Sequence, residues 1–305
     1  MSKLIALLLS MFTVLATSLP AAPPQYGDLL DTNYPIEAEL SPGQNNRLNL
    51  RVEAHMSQPI DEISSYVTAL RFASVLALGV NQGLIPAKTI PPVAPYTFVQ
   101  VSVSPLDGAS VTRQLALECI YQSILWMSTQ GFVHAEFFLS FDNQERVKCE
   151  YRSSDPNAPV VVADPADANA TQTLDAVGLG PSVDISYNPN GYNLANDEVF
   201  INAIGAMRKK SWQDRESHVF AFTNVGGKFD AYVEVKGVKD PATDPEFSML
   251  GLITAMWHLP MWLLEKRRLA DVSGIVSYDG VPRALVSIVK GHPPPPVDGA
   301  TPNPA

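Results

Sequence analysis

The spacing of apolar and polar positions changes several times along the chain, and each change marks an element. Leu48, Leu50 and Val52 alternate with Asn49 and Arg51, which predicts a half-buried strand. Pro59 and Asp61-Glu62 then open a helix, with acids at its positive end. Ile63, Val67, Leu70, Ser74 and Leu78 share one face of it, and Gly79 and Gly83 close it. Pro86, Pro91, Pro92 and Pro95 make a stiff connection without a helix. Val99, Val101 and Val103 alternate with Gln100 and Ser102 in a second strand, and a turn follows at 105–108. A second helix is predicted over 111–129, ended by Gly131. The runs 133–141 and 146–151 read as a hairpin across Asp142-Asn143.

The same order returns later. A strand at 183–187 precedes a helix that starts at Asn196-Asp197-Glu198 and runs to about Asp214. Strands at 219–222 and 229–235 flank a turn at Gly226-Gly227. The run 247–264 is apolar on every side, and a hairpin of 272–278 and 281–289 turns on Asp279-Gly280. Leu139 to Arg146 aligns without a gap on Val276 to Arg283. The expected fold is α+β: two tandem duplicated two-layer α/β sandwich units, each β-α-β-α-β-β. In each, the helices pack on one face of a mainly antiparallel sheet. The apolar cylinder 247–264 needs cover on two sides, so it is expected to join the units by packing on the helix 111–129.

Composition adds a compartment. Lys3, the apolar run from Leu4 to Leu15 and the small residues Ala16-Thr17-Ser18 form a secretory signal. The organisation is then a signal at 1–18, an N-terminal arm at 19–46 and a first unit at 47–152. A linker at 153–181, a second unit at 182–291 and a Pro-rich tail at 292–305 complete it. The arm is expected to be partly disordered. Asn169-Ala170-Thr171 in the linker is a glycosylation sequon. Apolar residues at 46% and charged residues at 17% fit a chain folded around a core. The formal net charge of −10 argues against nucleic acid or an anionic membrane as the partner. No stable membrane insertion is expected once the signal is removed.

Candidate chemistry is sparse. Cys119 and Cys149 fall on core-facing positions of the second helix and the hairpin, and an oxidising compartment makes a disulfide between them the expected state. That bond would close a loop of about 30 residues and contribute about 3 kcal/mol. His134 and Glu136 lie two apart on one strand face, a spacing that suits an acid–base pair. Trp257, His258 and Trp262 in the apolar run are candidates to line an apolar ligand cavity. There is no zinc-helix motif, nucleophile elbow or phosphate-cradling loop, so no metal, cofactor or catalytic residue is assigned. The acidic pairs Asp61-Glu62 and Asp197-Glu198 are explained by helix starts.

The signal, the Pro/Ala-rich mature start and the tandem layers look like those of a secreted eukaryotic, fungal protein, and the layers alone resemble secreted killer-toxin-like and effector α/β sandwiches. The leading expectation is a secreted, extracellular, non-catalytic interaction protein of the effector or virulence type. The alternatives are a binding protein for a small apolar ligand, using 247–264, and an enzyme of unfamiliar type using His134 and Glu136.

Overall fold

The structure is a computed structural model that describes residues 29–39, 45–78, 84–90, 92–106, 111–154, 181–210, 222–225, 230–237 and 247–291. The expected signal, the sequon at Asn169, most of the linker and the tail lie outside the described residues. The first part of the chain runs β1 (Leu29–Glu39), β2 (Asn45–Pro59), α1 (Glu62–Ala77), β3 (Leu84–Ile85), β4 (Lys88–Ile90), β5 (Val99–Pro105) and β6 (Val111–Thr112). Then come α2 (Arg113–Gln130), β7 (Val133–Phe141) and β8 (Gln144–Ser153). The second part runs β9 (Ser182–Tyr187), α3 (Asn196–Lys210), β10 (Phe222–Val225), β11 (Ala231–Gly237), α4 (Met249–Glu265), β12 (Val272–Tyr278) and β13 (Val281–Lys290).

Two antiparallel sheets carry the fold. One has the order β1-β2-β7-β8-β5-β4, the other β10-β11-β13-β12-β9, and β3 pairs separately with β6. In the first, the strand before α1 borders one side of the β7–β8 hairpin, and the strand between the helices borders the other. In the second, β9 and β11 border the β12–β13 hairpin in the same way. Both hairpins turn through positive φ at both central residues: Asp142 (51°) and Asn143 (60°), Asp279 (51°) and Gly280 (75°). That backbone matches the right-handed twist of the strands it joins, which is why Asp, Asn and Gly stand there.

Helix starts follow from short capping side chains. Asp61 accepts from the Ser64 amide at 2.7 Å, Thr112 from Leu115 at 3.3 Å and Ser248 from Gly251 at 3.4 Å. Helices α1 and α2 cover the first sheet, α3 and α4 the second. The two helical layers then meet, so the layers run sheet, helices, helices, sheet around one continuous core.

The joint differs from the expectation. The helices that meet across it are α1 with α3, flanked by α2 on α3 and α4 on α1, in place of α2 with α4. Their circumference explains it. Every residue from Val199 to Met207 is buried, and α1 buries Ser64, Ser65, Ala69, Ala73 and Ser74 among its larger apolar residues. Small side chains let two helix backbones approach closely. The Tyr66 and Phe200 rings stack at 5.2 Å, and Ser74 Oγ lies 3.7 Å from Met207 Sδ. Alongside, Arg208 of α3 donates through Nη1 to both carboxylate oxygens of Glu118 of α2 at 2.9 Å, and its guanidinium lies 4.2 Å over the Tyr121 ring. Helix α4, apolar throughout, leaves Trp257, Met261, Trp262 and Leu264 only half-buried.

The arm gains a strand, and one further expectation is corrected. Within the N-terminal arm, 29–39 is a strand paired along its whole length with β2 from Leu29↔His55 to Glu39↔Asn45. Backbone pairing with a neighbouring strand, not an apolar period of its own, makes that element. Cys119 and Cys149 are free thiols, both fully buried. The two thiols meet each other as a hydrogen-bonded pair; Cys119 also donates to the Phe137 carbonyl at 3.8 Å, and Cys149 accepts from Ser123 Oγ at 4.0 Å. Burial, then the hydrogen bond with Cys149, holds the Cys119 thiol well above its ordinary range.

Candidate recognition surface

The outer face of the six-stranded sheet follows from alternation. Val52, Ala54, Ala135, Phe137, Leu139, Val147, Cys149 and Tyr151 point inward and are buried. Their neighbours point the other way, and the strand register sets them in rows. Arg51, Phe138 and Lys148 form one row, Glu53, Glu136 and Glu150 the next, and His55 pairs with His134 in a third.

Three glutamates in one row repel one another. Cations beside the row offset this. Lys148 Nζ lies 3.0 Å from Glu136 and 3.7 Å from Glu150. Arg51 donates to Glu53 and, at 2.6 Å, to Glu145, while its guanidinium lies 3.9 Å over the Phe138 ring. The Glu145 hydrogen bond, followed by those to Glu53, lifts the Arg51 guanidinium above its ordinary range against the cost of burial. Arg152 approaches Glu150 at 3.9 Å and Gln100 at 3.2 Å.

His134 sits at the end of this network. Its Nδ1 lies 3.0 Å from Gln58 Oε1, its Nε2 3.7 Å from Glu150, and its ring 4.7 Å from that of His55. Burial, then the neighbouring His55, lowers its pKa from 6.5, outweighing the pull of Glu150 and Glu136. The neutral ring therefore dominates at pH 7 and offers one donor and one acceptor.

His134 and Glu136 share the face as the alternation requires, but the structure does not couple them by a hydrogen bond. Glu136 is engaged by Lys148, and His134 turns to Glu150 on the next strand. Glu150, His55, Arg51 and Lys148 were not singled out from the sequence. Their outward positions were readable from the alternation, but the register that brings them together was not. Trp257, His258 and Trp262 lie on α4. Trp257 and Trp262 pack against the core, and the Trp262 ring meets Tyr187 at 4.7 Å with Lys266 over it at 5.7 Å.

Among the described residues, no three His, Cys, Asp or Glu side chains are grouped to hold a metal ion, and no helix is long and apolar enough to cross a membrane. Comparison with family models, curated proteins and solved structures finds no match to this chain.

Proposed function

We propose that this is a secreted, non-catalytic interaction protein of the fungal effector or virulence type, and that the outer face of the six-stranded sheet is what it presents to a partner. The observation that carries the reading is the connected charge array on β2, β7 and β8. Arg51, Glu53, Glu145, Glu136, Lys148, Glu150 and His134 are only part-exposed and already hold one another in place. Ordering long side chains before contact lowers the entropy lost on binding. Mixed signs in fixed rows favour a partner protein with a complementary pattern over a polyanion.

The shared strand order of the two sheets supports the finer reading that the halves arose by tandem duplication. The secretory signal supports an extracellular site of action. The apolar-ligand reading has less support, because Trp257 and Trp262 pack on the core.

The test has two parts. N-terminal sequencing of the protein from culture medium should begin near Leu19; an intact Met1 in the cell fraction overturns secretion. Partner capture by the purified protein, measured well below each variant's melting temperature, should be lost on Lys148→Glu and restored by pairing it with Glu136→Lys. Capture that ignores both changes excludes this face.

A further inference from the structure

A groove of about 530 Å³ opens at the joint between the two halves, away from strands β2, β7 and β8. Glu62 and Tyr66 of α1 and Asp197 of α3 supply its polar lining, and Met127, Phe132 and Leu269 its apolar walls. Neither Trp257, His258 nor Trp262 lines it. Tyr66 is the unusual member. It is 1% exposed, its ring lies between Phe132 at 5.0 Å and Phe200 at 5.2 Å, and its hydroxyl has no hydrogen-bond partner among the described residues. The ring is buried while the unpartnered hydroxyl reaches the open groove, where a ligand can take the place of water on it.

The charge around the hydroxyl decides the ligand's sign. The helix starts at α1 and α3 each bring about half a positive charge. Several amides at these starts are already used: Asp61 accepts from Ser64, Glu198 from Ala195 at 2.8 Å, and Asp197 from Glu198 at 2.9 Å. An incoming anion would find those donors occupied and two whole negative charges, Glu62 and Asp197, beside it. Lys290, the nearby cation, is taken by Glu198 at 2.9 Å. Glu62 uses one oxygen to accept from Asn196 at 3.1 Å, and Asp197 uses one for Glu198, so each has a second oxygen for another donor. Burial, then Asp197 and Glu62, raises the Tyr66 pKa, so the hydroxyl stays neutral and its lone pairs accept.

We propose that this groove binds an organic cation with an alkyl stem, an alkylguanidinium or alkylammonium group, between Glu62 and Asp197 with Tyr66 at its head and Met127, Phe132 and Leu269 along its stem. The group comes either from a free amine or from an arginine or lysine side chain of a partner.

Titration of the full chain with n-butylguanidinium, n-butylammonium, n-butanol and butyrate, followed by ligand-observed NMR, tests it. Both cations should bind, about tenfold more tightly than the alcohol and with butyrate weakest. Tyr66→Phe and Glu62→Gln should each weaken the cations about tenfold while the melting temperature stays within error. Glu62 is exposed, so its variant is informative even where Tyr66→Phe perturbs the core. Equal binding of alcohol and cation, stronger binding of butyrate, or cation binding indifferent to both substitutions overturns the proposal. A glycine-flanked arginine peptide separates the sources: tighter binding than butylguanidinium assigns a protein side chain, and equal or weaker binding a free amine.

Discussion

At the scale of single residues, burial decides chemistry more than residue type does. Cys119 and Cys149 were readable as core-facing from their spacing, and both are fully buried. The structure brings the two thiols together as a hydrogen-bonded pair without a covalent bond, a state that no spacing reveals. A thiol reagent should therefore label neither cysteine in the native protein and both in the denatured, unreduced protein; no label after denaturation would mean that a bond forms. His134 gives a second test. Its pKa is lowered on folding from 6.5, so as pH falls the unfolded chain takes up the proton first. The stability contributed by the neutral ring is fully present above the unfolded value and is lost as pH drops through the folded one. His55, Glu150, Glu136, Arg152 and Gln58 face the ring and set this balance. Urea midpoints at about pH 7.5 and about pH 5.5 should differ less for His134→Asn than for the parent chain. An identical difference would assign the slope to other groups.

At the scale of elements, periodicity located α1, α2, α3, α4 and both hairpins to within a few residues, because alternation and caps are local. It ranked the helices wrongly. The run 247–264 was apolar on every side and looked like the joint, yet α1 and α3, with serines, alanines and a glycine among their large residues, occupy the centre. Hydropathy measures the transfer of a side chain from water, whereas a helix–helix joint also needs small residues that let the backbones approach. The stability order should follow. Phe200→Ala, at a site with no exposure, should cost about 3–5 kcal/mol, while Trp257→Ala, half-buried, should cost no more than about 2 kcal/mol by chemical denaturation. The reverse order would restore α4 as the joint.

At the scale of the whole molecule, the two halves share one core, held by Tyr66 on Phe200, Ser74 on Met207 and Glu118 on Arg208. Calorimetry should show one unfolding transition with equal calorimetric and van't Hoff enthalpies, and a chain cut at an introduced protease site near 165 should elute at the size of the intact one. Two separate transitions would mean that the halves fold independently. The local terms of the fold were legible in the sequence by itself: the strand alternation, the Asp-Asn and Asp-Gly turns, the acids Asp61-Glu62 at a helix start, and the repeated element order. These depend on neighbours within a few positions. Only tertiary structure decided the rest: the edge strand β1, the row of Glu53, Glu136 and Glu150, the free thiols, the α1–α3 joint and the groove around Tyr66. Each depends on contacts between distant segments. There, strand register and the approach of two helix backbones determine which groups meet, and a linear pattern carries no distances between them.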